Sequence, residues 1–288
     1  MADRILFWLT STLAATGVEA LVVGGGLLAF GLLLYCLERR TLEVTSQAFG
    51  VKAVVIVTGW IGTTVHELSH ALLCVIFRHK ITEISLFSPD TESGVLGYVR
   101  HGWDKKSLYQ NLGLLFIGIA PLLVGSALLV ALGYLLLHGF GGVVERAASM
   151  PRFEDAPGFG SYAGWLWGVT RETLTTLFVP DQLRRWQLWV FLYVSVSVSC
   201  HLAPSPADLK GAWLGLALLL ALALLANGTL VALGQHPQDL LFQSGRWLGI
   251  GAGLMTLAVL LSGVNFLVSW LVSALWSWAR GEGWIWPV

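Results

Sequence analysis

The chain has 288 residues, 56% of them hydrophobic and 12% charged, and its formal net charge is zero. Soluble domains carry about 25% charged residues, so half that share across several long uncharged runs excludes an ordinary soluble domain and predicts an all-α polytopic membrane protein in a lipid bilayer. The even charge balance gives no argument for nucleic acid or another polyanion as a partner.

A helix needs about 20 apolar residues to cross the hydrocarbon, and about six segments offer them. Met1-Ala2-Asp3-Arg4 leads into an apolar run that continues to Leu37, which predicts a membrane-entering helix rather than a cleaved signal. Span one is about Gly17 to Leu37, closed by Glu38-Arg39-Arg40, with residues 5–16 extending it or lying in the interface. Span two is about Ala53 to Phe77. Residues 81–100 are β-rich, turn-rich and β-rich in succession, a small hairpin on the membrane face. Span three is about Leu112 to Leu137. Residues 138–185 form a polar, Gly-rich connection whose part from Tyr162 to Phe178 is amphipathic enough to rest on the interface. Spans four, five and six are about Trp186 to Leu202, Ala212 to Leu233 and Trp247 to Trp278. No linker separates a second domain, so residues 1–288 read as one integral membrane unit with its core in 50–215. Lys and Arg divide almost evenly between the two sides, so they set no orientation. Cys36, Cys74 and Cys200 lie in or beside apolar runs and read as small buried hydrophobes; Cys74, four residues past His70, also has the spacing for a supporting place near that residue.

Within span two the chain reads Thr64-Val65-His66-Glu67-Leu68-Ser69-His70. On an α-helix residues four apart share a face, so His66 and His70 can reach one metal ion, for which zinc is the expected identity. Glu67 stands beside the first histidine, where a carboxylate can take a proton from a water activated by the metal. Ionisable groups at membrane depth are functional candidates by default. The reading is therefore a hydrolase that works inside a bilayer, with Glu67 as catalytic base.

A catalytic zinc site commonly has three protein ligands and one open position. Glu19, His201 and Asp208 are the candidates for the third. The stretch Ser199-Cys200-His201-Leu202-Ala203-Pro204-Ser205-Pro206-Ala207-Asp208 carries two prolines that unwind the helix, and irregular backbone at membrane depth is tolerated where it lines a wet cavity. A carboxylate there can turn to a neighbouring helix, so Asp208 is the expected ligand, with an N-cap role as its structural alternative. His201 is the second candidate catalytic residue, either donating to an oxyanion or orienting Asp208 from behind.

A zinc motif in one span, a hairpin after it and an Asp after a Pro-containing break resemble the site-2 protease family of intramembrane zinc metalloproteases, and Gly118-Ile119-Ala120-Pro121 in span three adds to the likeness. The likeness covers roughly residues 50–215. It implies zinc held by His66, His70 and Asp208, Glu67 as general base, and membrane-protein substrates, often regulators, cut in or near their transmembrane segments. The chain departs from the family where Ala203 rather than Asn precedes Pro204, and where Gly211 follows Asp208 at three residues rather than one. The expected location is multi-pass, in a bacterial-type inner or cell membrane. A reading from another class is a membrane metal-binding or transport protein without peptidase activity. Against it, spans three, five and six offer no acidic, basic or His residue for a polar route. The hairpin could offer a strand edge to an extended substrate.

Overall fold

The computed structural model describes residues 2–90, 95–149, 151, 159–237 and 245–286. The expected hairpin turn at 91–94, and residues 150 and 152–158 of the expected polar connection, lie outside them.

Helix α1 (Ala2–Glu19) passes through a π-helical turn at Ala20–Gly24 into α2 (Gly25–Phe49). The predicted stop at Glu38-Arg39-Arg40 does not end this helix. Charges one turn apart support a helix rather than break it, and both arginines reach Glu43 at 3.1 Å. Gly50, at φ 80°, ends it instead. The continuous stretch Asp3–Phe49 has 47 residues. That is about 70 Å of helix against a hydrocarbon layer of about 30 Å.

A short helix α3 (Val51–Val54) and a second π-helical turn, Val55–Gly59, lead into α4 (Trp60–Ile76), which carries the histidine motif. Arg78 closes α4 in the left-handed region (φ 59°), and His79 N–H returns to the Cys74 carbonyl at 2.8 Å. Strands β1 (Lys80–Ser85) and β2 (Tyr98–Gly102) then pair antiparallel, with Ile84 opposite Val99 and a bulge between Ile81 and Glu83. Helix α5 (Leu108–Gly118) begins on Ser107, whose hydroxyl accepts from Gln110 N–H. Pro121 follows, and the chain turns by 59° before α6 (Ser126–Leu136).

Helices α7 (Phe140–Ala148), α8 (Phe159–Leu177) and α9 (Pro180–Leu183) occupy the expected polar connection. The amphipathic stretch from Tyr162 is helical, and its buried face, with Trp165 and Val169, packs on protein: on α7 and on the last helix. Helix α10 (Trp186–Ser199) stops before the Pro-containing break; α11 (Pro206–Ala232) and α12 (Gly245–Ala279) follow.

Among the described residues, three stretches are each long and apolar enough to cross a membrane: Asp3–Phe49, Pro206–Ala232 and Gly249–Ala279; the bent pair α5–α6 makes four if counted as one span. Two other expected spans contain shorter helices, 17 residues in α4 and 14 in α10, because a π turn interrupts one and the proline break ends the other. Large apolar side chains, among them Leu21, Leu135, Trp213 and Leu225, are exposed on the outer surface. The main core, including Leu34, Leu122, Phe140, Phe191 and Leu261, lies among α2, α6, α7, α10 and α12. A smaller core of Leu73, Cys74, Ile117 and Ala120 joins α4 to α5 beneath the hairpin. Cys74 and Cys200 are buried as expected, whereas Cys36 is exposed on α2; all three are free thiols.

Candidate metal centre

His66 and His70 lie one turn apart on α4, and the backbone around them fixes both rings. His66 Nδ1–H donates to the carbonyl of His201 at 2.7 Å, and His70 Nδ1–H donates to the carbonyl of Ile117 at 2.7 Å. A carbonyl only accepts, so each neutral ring carries its proton on Nδ1 and has a bare lone pair on Nε2. The two receiving carbonyls are available for reasons legible in the chain. In a helix, Ile117 O would bond the N–H of residue 121, and Pro121 has none. His201 O would bond Ser205 N–H, which instead donates to Asp208 Oδ2 at 2.7 Å.

Asp208 lies in the first turn of α11. Its backbone N–H donates to Ser205 Oγ at 3.2 Å while its carboxylate takes Ser205 N–H, a capping box. The expected ligand and its structural alternative are thus the same residue in two roles. Oδ1 lies 3.3 Å from His70 Nε2, and Oδ2 lies 3.4 Å from His66 Nε2. The two Nε2 atoms are 3.1 Å apart. A tetrahedral ion with bonds of about 2.0–2.1 Å holds its ligand atoms about 3.3 Å from one another. Two facing lone pairs and a carboxylate at this spacing repel each other unless a cation lies between them. His66, His70 and Asp208 therefore form a triad that can hold a metal ion.

Close packing sets the ligand positions. The carbonyl of Asp208 lies against Gly118, where a Cβ would meet it at 2.6 Å. At Gly62, a Cβ would collide with the Ser197 carbonyl and the His201 ring. These two glycines let α11 and the end of α10 approach α5 and α4 at backbone distance.

The triad opens on a cavity of about 900 Å³ whose lining includes Glu38, Thr63, Glu67, His101, Trp103 and His201. Glu67 is 7% exposed, lies under Gly97 of the hairpin, and has no hydrogen-bond partner among the described residues. His201, the other candidate catalytic residue, donates from Nδ1 to the Ser197 carbonyl at 3.0 Å. Its neutral ring therefore turns an acceptor, not a donor, towards the cavity; it donates to an oxyanion only when doubly protonated. Its backbone carbonyl meanwhile orients His66. Glu19, the remaining ligand candidate, lies elsewhere, taking a hydrogen bond from Asn227 at 2.9 Å.

Two cavity groups went unread in the sequence. Glu38 appeared to be the charged end of span one, yet it shares a helix face with the buried residues Leu34, Thr41 and Thr45 and lines the cavity. That i, i+4, i+7, i+11 spacing was the available signal. His101 lies on β2, paired through its ring with His79 at 2.9 Å. Burial, with His79 and then His70 nearby, pushes its pKa down to about 4, so the ring is neutral at pH 7. Nothing local in the sequence marks it. No protein-family model, curated protein or solved structure matches this chain.

Proposed function

We propose that the chain is an intramembrane zinc metalloendopeptidase of the site-2 protease type, cutting membrane-protein substrates in or near their transmembrane segments. The observation that carries this reading is the triad of His66, His70 and Asp208 beside the unpartnered carboxylate of Glu67, in one cavity among apolar helices. A site that only binds or transports metal has no need of a free carboxylate next to the ligands. Nitrogen and carboxylate ligands at tetrahedral spacing suit zinc. The proposed placement is a multi-pass one, with α4 and α10 completing six crossings in a bacterial-type inner or cell membrane.

When bound at the triad, zinc supplies a Lewis acid that polarises a carbonyl and makes a water acidic near neutral pH. Glu67 takes the proton of the attacking water on its carboxylate and returns it to the leaving amine nitrogen. Ser205 and the Ile117 and His201 carbonyls keep Asp208 and the two rings in register, so no ligand has to reorganise during turnover. A substrate helix has its amides bonded internally and must unwind before a carbonyl can enter the cavity.

The test is a panel of single-span substrates differing only by a central Leu→Gly or Leu→Pro change, assayed in liposomes with wild-type and Glu67→Gln protein. Faster cleavage of the helix-weakened substrates by wild type alone is expected. Equal turnover by both proteins, or rapid cutting of unstructured soluble peptides with indifference to the helix changes, would refute the reading.

A further inference from the structure

The hydrogen-bond chain behind the hairpin gives His101 a defined tautomer. His79 is buried, and its Nε2 lies 2.9 Å from the backbone carbonyl of Gln110. The carbonyl accepts, so His79 carries its proton on Nε2 and its Nδ1 is an acceptor. That acceptor lies 2.9 Å from His101 Nδ1, which must therefore donate. A neutral His101 is left with a bare lone pair on Nε2. This atom has no partner among the described residues, and His101 lines the cavity that holds the metal triad. The ring cannot easily turn away: the indole of Trp103 lies 6.0 Å from both imidazoles, stacked on His79 at 15°.

Three neighbouring side chains on the same wall donate within the protein. Tyr98 OH and Arg100 both donate to Glu83, and Trp103 Nε1 donates to Asn111. The hairpin wall thus holds a fixed acceptor on a residue that lines the cavity. A transmembrane segment that unwinds in the cavity releases main-chain N–H groups, which are strongly disfavoured without an acceptor in apolar surroundings.

We propose that His101 Nε2 receives a main-chain N–H of the unwound substrate, and that His79 is the positioning residue that holds it there. The assignment rests on the protease reading and adds to it the point at which a substrate amide is gripped.

The experiment uses a single-span membrane peptide in detergent micelles, with each amide N–H around the cleavage site replaced in turn by an ester oxygen. An ester also weakens the substrate helix, but equally for every protein variant, so comparison between variants cancels that effect. KM and kcat are measured for metal-loaded wild type, His101→Phe and His101→Gln, together with Kd for the same peptides on Glu67→Gln protein with and without His101→Phe. At one ester position wild type is expected to lose about tenfold in KM and Kd, the scale of one hydrogen bond. His101→Phe should bind the all-amide peptide about tenfold more weakly and be indifferent to that ester. His101→Gln, which keeps an acceptor, should recover most of the loss, and metal content should be unchanged throughout. Ester effects identical in wild type and His101→Phe, or loss of metal from His101→Phe, would overturn the assignment and leave the protease reading standing. Failure of wild type to bind any of these peptides would overturn both.

Discussion

Substitution of Gly118 by Ala tests whether packing, rather than the ligands alone, builds the metal centre. The added Cβ would lie 2.6 Å from the Asp208 carbonyl and 3.0 Å from Ala212 Cβ, whereas ordinary contact begins at 3.4 Å. Helices α5 and α11 must then part by about 0.8 Å, since a packed interior has no slack to absorb the methyl group. Metal–ligand distances tolerate only about 0.2 Å, so Asp208 is carried out of bonding range unless its side chain follows. Overpacking costs about 1–3 kcal/mol. The protein should therefore fold, while metal affinity falls roughly 10–100-fold, the scale seen when the support of a ligand is disturbed. Competition against a chelator of known affinity measures this, with Gly164→Ala, where a Cβ meets nothing within 4 Å, as the control. Wild-type affinity in Gly118→Ala would refute the reasoning.

Asp208→Asn should keep the α11 cap, because an amide oxygen still accepts Ser205 N–H, but lose bound metal; metal analysis alongside circular dichroism separates the two. Glu67→Gln should retain metal and lose cleavage at least a hundredfold, read by metal content and turnover on the same preparation. The His101 pKa of about 4 lies below its ordinary 6.5, so the folded state favours the neutral ring. The stability this contributes is fully present above pH 6.5 and lost as pH falls through 4. The thermal midpoint of wild type should drop relative to His101→Phe over that window, and parallel curves would count against the assignment of the ring as neutral.

Features set by short-range pattern were legible before the structure. His66 and His70 follow from helix periodicity, the hairpin strands from β-rich stretches around a turn, and Asp208 from two prolines that stop a helix. What escaped reading depends on distant partners. Glu38 looked like a terminal charge because the local rule that charges close a span is about lipid, while its actual neighbour is the cavity of the metal triad. His101 acquires meaning only when α4, β2 and α5 bring His79, its own ring and Gln110 together. The lengths of α4 and α10 depend on a π turn and on a helix stop that hydropathy averages over.

The capping box at Ser205 and Asp208 also sets a clock. His70 and Asp208 are 138 residues apart in the chain, so at about 5–20 residues per second the histidines leave the ribosome roughly 7–28 s before the carboxylate that completes the set. During that interval the nascent chain already holds His66, Glu67 and His70, but α11, the helix that delivers the last ligand, has yet to be made. A partly synthesised molecule therefore lacks a complete metal triad, and the same is true of any fragment truncated before α11.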